Sequence, residues 1–500
     1  MLLCPGRGDE TRYGSATPFD PVVDGFHKPA MSPIVTRLAR THPITCVLLA
    51  LGWLASGVIS DASAQDVEER FPGVSLGLSY ETRTLPTLAI QPFVGQTGGQ
   101  SQASQVENII ARDLRYSDRF GVVDAIPSAL VRDEVDYTLW DEMGATWLIT
   151  GRVEGVGPTA VLILELHDVV YREVSNRGRF TVPDPESAEF RMAAHVVSDS
   201  IVRWVLDEPG IAATRIVFSR RMEDGSQDLW IIDSDGENLR RLTSHRGGEF
   251  GVPISLTPQW SPDGTRVAYT SYKDEGLPRI YELNLLTGEE KPVPAPRSGD
   301  YISPAYHPEG ELLYFAVNSG RSSGIYRYNI ARECCFESLT EGRSADISPS
   351  FSPDGRTLAF NSNRLGVGTP QIYMMATDGS GRAEIVSPYV YSTPGYYTSP
   401  DWSPIGNRVA YHGRVQRRGA HQILIAELDG RNRVRRTSQI TFGGVNEDPS
   451  WAPDGRHLVH VGERAYGYGL FITDLFTGNT RTLVSGIRPN PPAWSPSLHP

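Results

Sequence analysis

Apolar and polar residues alternate in short runs through the C-terminal half of the chain. Arg266-Val-Ala-Tyr-Thr-Ser271 and Thr357-Leu-Ala-Phe-Asn-Ser362 are two such runs. Alternation over four to six residues predicts a half-buried strand. Runs of this kind begin near 215, 266, 311, 356, 407 and 456. A second kind, such as Gln371-Ile-Tyr-Met-Met-Ala-Thr-Asp-Gly379, begins near 229, 280, 325, 371, 421 and 469. Shorter runs follow, such as Arg240-Arg-Leu-Thr243 and Arg436-Thr-Ser-Gln-Ile-Thr441.

Ahead of these runs stands a repeated anchor. It reads Pro258-Gln-Trp260-Ser-Pro-Asp-Gly264 and returns at Pro304–Gly310, Pro349–Gly355, Pro400–Gly406 and Pro449–Gly455; a shortened copy is Pro492-Ala-Trp-Ser-Pro496. The anchor aromatics fall at 260, 306, 351, 402, 451 and 494, so the repeat is 43 to 51 residues long. Four short strands in about 45 residues make one propeller blade. The turn chemistry agrees. Pro presets φ for a type I turn, Asp can bond its own backbone, and Gly takes the left-handed position that follows. The aromatic before the turn is expected to pack between blades. The expected fold is a small α/β domain followed by an all-β six-bladed propeller over 213–500. The blade beginning at Arg215-Ile-Val-Phe-Ser219 has no anchor before it. Its missing inner strand is expected from 492–496, which closes the ring and removes an open edge.

Residues 85–207 are patterned differently. Leu85–Phe93 is strand-like. Val106, Ile109, Ile110 and Leu114 recur at helical spacing within 101–119. A helical stretch over 133–143 leads into Ala145–Gly151. Strands are expected over 160–167 and near 177–182, and a last helix over 185–206. Mixed short elements of this kind predict a small α/β domain. Residues 65–84 show no clear period and are expected to be a flexible N-terminal segment.

Residues 1–64 read as a leader. Met31 is the expected start. Arg37 and Arg40 precede an apolar run from Ile44 to Ile59, and Ala62-Ser63-Ala64 offers small residues at the positions a signal peptidase reads. Cleavage is expected between Ala64 and Gln65. The 16-residue run, with Gly52 and Gly57, is short of the ~20 residues that span a bilayer. A chain that begins at Gln65 is therefore expected not to span the membrane. The net charge of −12 argues against a nucleic-acid partner. The leader carries five basic and five acidic residues, so its removal leaves that balance unchanged. Of four cysteines, Cys334 and Cys335 lie outside the leader. They are adjacent, and a bond between neighbours closes a strained ring, so two thiols are expected.

Ala89-Ile-Gln-Pro-Phe93, Gly144-Ala-Thr-Trp-Leu-Ile-Thr-Gly-Arg-Val153, Arg191–Ile201 and Thr214-Arg-Ile-Val-Phe218 resemble the front domain of the TolB family. The Ser-Pro-Asp-Gly blades and the terminal Pro-Ala-Trp-Ser-Pro resemble its propeller. Asp207–Ala213 and the long leader depart from the family pattern. The resemblance implies a periplasmic, monomeric component of the Tol-Pal system that serves outer-membrane integrity and cell division. It implies docking of the peptidoglycan-associated lipoprotein Pal at the propeller mouth, and of TolA on the N-terminal segment 65–84. It implies neither catalysis nor a cofactor.

Other chemistry is weakly signalled. Gly73-Val-Ser75-Leu-Gly77 matches a nucleophile elbow in letters, but that motif needs a strand–turn–helix context. A propeller peptidase would also need a hydrolase domain of roughly 200 residues beyond the blades. His457 and His460, three apart on a strand, point to opposite faces. Asp233-Ser-Asp235-Gly236 opens like a calcium loop, yet its twelfth position is Ser244. Its equivalents Asp378-Gly379 and Asp429-Gly430 mark it as a hairpin turn. A propeller that binds a sugar or small ligand in its channel, or the remnant of a propeller peptidase, is the alternative. The loop entering each inner strand opens at the channel mouth. The residues before each anchor proline, Thr257, Ser303, Ser348, Ser399, Asp448 and Pro491, are therefore the expected partner-binding ring.

Overall fold

A computed structural model describes residues 74–76 and 85–498, apart from 97, 124–133, 246–250, 275, 367, 390–393 and 415–418. The leader, Met31 and the cleavage site at Ala64 and Gln65 lie outside the described residues.

Among the described residues the front domain has one sheet, three α-helices and a 3-10 turn at Gly157–Thr159. Its strand order is 121–123, 87–90, 147–154, 160–168, 173–182, the first three parallel and the rest antiparallel. Helices α1 (Gln100–Tyr116) and α3 (Phe190–Leu206) pack side by side on one face; α2 (Tyr137–Glu142) is a short connection. Val106, Ile110 and Leu114 of α1 and Val197 and Ile201 of α3 are buried over Leu88, Ile149, Leu162 and Leu164. That is the apolar stripe the helical spacing predicts.

Six four-stranded antiparallel blades follow. Blade 2 is Ser255–Trp260, Arg266–Ser271, Arg279–Asn284 and Glu290–Pro292, and blades 3 to 6 repeat that order through Ser485. Blade 1 is composite. Arg488–Trp494 pairs antiparallel with Arg215–Arg221, setting Ala493 against Val217 and Trp494 against Ile216. The ring therefore closes through the pairing that the missing anchor predicts. The anchor turn works as its residues suggest. Ser261 Oγ accepts the Arg266 N–H at 2.9 Å, Asp263 Oδ1 accepts the Thr265 N–H at 3.0 Å, and Gly264 sits at φ +69°. Ser352, Asp354 and Gly355 repeat the arrangement.

The structure adds one strand pairing ahead of the front domain and corrects one expectation, the state of the cysteine pair. Within 65–84, Val74–Leu76 forms a strand parallel to Thr437–Gln439 on the outer edge of blade 5. An outer blade strand offers unpaired backbone groups, which an extended segment can satisfy. Cys334 and Cys335 are bonded to each other rather than being two thiols. They lie at the start of the outer strand of blade 3, where Cys335 takes a left-handed φ of 66° after the turn.

The connection between the domains is pinned to α3. Asp199 is buried and accepts the Ala212 and Ala213 N–H groups at 2.8 and 3.0 Å. Burial lifts its carboxyl to about 7, against the pull of those two amides. Gly210 is obligatory here, because a Cβ would meet Asp199 Oδ1 at 2.1 Å. Asp199→Ala leaves two buried amides unpaired and is expected to cost about 1–3 kcal/mol. Denaturant titration measures it; an unchanged midpoint would contradict it.

Candidate functional site

The six inner strands surround a central channel, a cavity of about 440 Å³. Each strand carries an anchor proline, which cannot donate to the ladder and is tolerated here because the inner strand is an edge of its blade and is bulged at that point. A register shift occurs in all six, between Leu256 and Gln259, Ile302 and Ala305, Ile347 and Ser350, Thr398 and Asp401, Glu447 and Ser450, and Pro489 and Pro492. The residue before the proline absorbs the distortion. Thr257, Ser303, Ser348, Ser399 and Asp448 all have φ between 48° and 55°. Pro491, whose ring fixes φ negative, is the exception.

All six of these residues line the channel. The sequence places them on the inner strands just before each anchor proline, and the structure puts them at the bulges there. They sit inside the strands as a polar belt, because the bulge belongs to the proline and not to the preceding turn. Ser399 Oγ donates to Asp448 Oδ1 at 2.7 Å across neighbouring blades. Thr257 and Thr270 hydroxyls lie 2.9 Å apart, and Thr270 Oγ1 also accepts the Ser303 N–H at 3.1 Å.

A second layer, which the sequence reading missed, follows the prolines. Asp401 is enclosed, and burial raises its carboxyl to about 6. Its Oδ2 accepts the Trp451 N–H at 2.8 Å, and Ser350 Oγ donates to Oδ1 at 3.2 Å. Ser350 and Ser450 accept the N–H groups of Trp402 and Trp494 from the next blade. These bonds stitch inner strands together. The available signal was Asp401 itself, the one charged residue among Gln259, Ala305, Ser350, Asp401, Ser450 and Ala493.

Beside the belt, the Asp448 N–H donates to His412 Nδ1 at 2.9 Å. Burial lowers the pKa of His412, so it is neutral and fit to accept. His421 pairs with Glu447 and stacks on Tyr396. His412, His421 and Glu447 could hold a divalent cation, with ligand atoms within 4.8 Å of one another. Ser75 is on the short strand that pairs with blade 5. His457 and His460 are both fully buried in the second strand of blade 6. Asp235 lies in a hairpin turn, as expected, but that turn faces the front domain, where Arg112 and Arg191 reach it.

The two ends of the propeller differ. In each antiparallel blade, the turns joining strands one to two and three to four share one end. The front domain contacts that end: Arg119 meets Asp454, Asp118 meets Asn479, and Arg112 meets Asp235 and Glu237. The opposite end, where the inner strands begin, carries none of these contacts.

Residues 204–498 match the family model described as "TolB beta propeller domain", and residues 78–174 match "TolB amino-terminal domain". The "Tol-Pal system protein TolB" of Anaeromyxobacter dehalogenans is 33% identical over 310 residues, 61% of this chain and 67% of that one. Its namesake in Bordetella parapertussis is 29% identical over 362 residues, 70% of this chain and 75% of that one. The crystal structure of TolB from Acinetobacter baumannii superposes with a TM-score of 0.68 at 22% identity, covering 84% of this chain and 99% of the other.

Proposed function

Because this chain belongs to the TolB family of Tol-Pal system components, we propose that it is a non-catalytic adaptor that docks a Pal-type lipoprotein at the propeller channel. The observation that supports this most is the belt Thr257, Ser303, Ser348, Ser399 and Asp448, held at the bulges of the inner strands and lining the central channel. A partner loop entering there meets hydroxyls and a carboxylate held on a rigid ring, and pairs with them at little ordering cost. Residues 65–84 engage TolA in this reading, and the mature chain works as a monomer in the periplasm. Roles in outer-membrane integrity and cell division follow from that place. No helix among the described residues is long and apolar enough to cross a membrane.

The channel volume favours a second reading. About 440 Å³ lies within the range of small-ligand pockets. Calorimetric titration separates the two. Saturable heat with the soluble domain of the lipoprotein, and none with a panel of sugars, is the expected result. Heat with a sugar and none with the lipoprotein would replace the adaptor by a ligand-binding propeller.

A further inference from the structure

Two histidines are fully buried where the front domain meets the propeller: His195 of α3, and His457 opening the second strand of blade 6. They are held in the same way from opposite sides. His195 Nδ1 lies 2.7 Å from Asp113 Oδ2, within the front domain. His457 Nδ1 lies 2.7 Å from Asp454 Oδ2, within the propeller. Each ring therefore aims Nε2 across the boundary. His195 Nε2 is 3.7 Å from Asp235 Oδ2 of blade 1. His457 Nε2 is 3.7 Å from Asp118 Oδ2 of the front domain and 3.8 Å from Asp474 Oδ1. Among the described residues, neither buried Nε2 atom has a partner at full hydrogen-bond distance.

The sign of each contact depends on one proton. An imidazole that donates Nδ1–H to an aspartate and is otherwise neutral turns a lone pair at Nε2 towards a carboxylate. A protonated ring turns an N–H instead. In a buried setting the first arrangement repels and the second attracts. We propose that His195 and His457 form a two-point, pH-sensitive clamp that tightens the front domain on the propeller while both rings are protonated and loosens it when they are not, the arginine contacts across the boundary remaining in both states.

The groups around each ring set its direction. His195 faces Asp113 of α1, Asp199 of α3, and Asp233, Asp235 and Glu237 of blade 1. The cations there are Arg112, Arg191 and Arg481. His457 faces Asp454, Asp474 and Asp118, with Arg119, Arg456, Arg408 and Glu208 around those carboxylates. Burial alone would strip both protons, but the aspartates outweigh it and hold both rings above the ordinary 6.5. Asp199, lifted to about 7, gains charge in the same range and adds to the field that keeps the His195 proton. A metal ion suits these places poorly. Arg112 and Arg191 already share Asp235 Oδ2, and Arg456 grips Asp474.

Since both folded values are raised, the clamp is complete below about 6.5 and weakens as pH climbs through those values. It does not depend on what occupies the channel. The test uses the mature chain with Cys334 and Cys335 replaced by serine and spin labels at Tyr171→Cys and Tyr466→Cys, both exposed. The interdomain distance distribution is expected to be narrow near pH 5.5 and to broaden towards about pH 9.5. The double variant His195→Gln/His457→Gln is expected to be broad throughout. An unchanged wild-type distribution overturns the proposal, and so does a double variant that keeps the wild-type pH transition. Broadening by a chelator at neutral pH overturns it too, since a metal would then be the clamp. Amide exchange of Ala212 and Ala213 in unlabelled wild-type protein needs no variant to fold. It should accelerate at least about tenfold beyond the intrinsic pH effect as the clamp loosens; protection that stays level overturns the proposal.

Discussion

Replacing Thr257, Ser303 and Ser348 together by arginine is expected to weaken lipoprotein binding by at least about thirtyfold while the propeller stays folded. The three positions lie on adjacent blades and all line the channel. Their φ values of 48°, 54° and 55° are already left-handed, and arginine is no worse there than β-branched threonine. The inter-blade bonds run mainly through the next layer, where Ser350, Asp401 and Ser450 take the backbone amides, so the substitutions leave those stitches intact. What changes is the interior of a cavity of only about 440 Å³, which three long guanidinium chains would fill. Loss of two or more kcal/mol is the ordinary scale for a central hot spot, so about 2 kcal/mol is the least expected. Calorimetry measures affinity, and near-ultraviolet circular dichroism of the anchor tryptophans reports the fold. Unchanged affinity in a folded variant would move the docking site away from the channel.

Deleting residues 491–500 is expected to lower the melting temperature by at least about 6–20 °C. The deletion takes Trp494, which is buried in the blade 6–blade 1 core and donates from Nε1 to Thr214 Oγ1 at 2.8 Å. It also takes the Ala493 carbonyl that accepts the Trp260 Nε1–H at 3.0 Å, and the Ser495 hydroxyl that accepts the Arg215 N–H. Removing one buried tryptophan costs about 3–5 kcal/mol before any edge is exposed. The first strand of blade 1 would then present open backbone groups to solvent and to other chains. Calorimetric scanning checks the shift, and light scattering checks for association. A melting curve identical to wild type would mean that another segment closes the ring.

The architecture was legible because the anchor repeats its chemistry at every blade. Pro, an aromatic, Ser-Pro-Asp-Gly and two alternating runs each impose a local geometry, and together they leave one arrangement. Closure was legible by subtraction, since blade 1 lacks an anchor and 492–496 lacks a blade. The depth of Thr257 and its counterparts was not. A proline signals a bulge, but where the bulge falls along the channel depends on strands that pair 13 or more residues away, as Thr257 meets Thr270. Asp199, His195 and His457 were opaque for a related reason. Asp454 lies three residues before His457, but the partners that give these groups their role, Ala212, Asp235 and Asp118, come from other elements or the other domain. For the vicinal cysteine bond, adjacency in sequence signals ring strain but not the left-handed backbone that Cys335 adopts beside it.

The composite blade also constrains the order of folding. Arg215 and Ser495 are bonded through atoms 280 residues apart in the chain, while blades 2 to 6 each pair within a single repeat. A chain that emerges from its N-terminus can complete those five blades one after another. It cannot complete the first until the last strand exists. Blade 1 therefore stays unzipped until residues 488–494 are made: a chain terminated ahead of them keeps an open edge that a protease can grip.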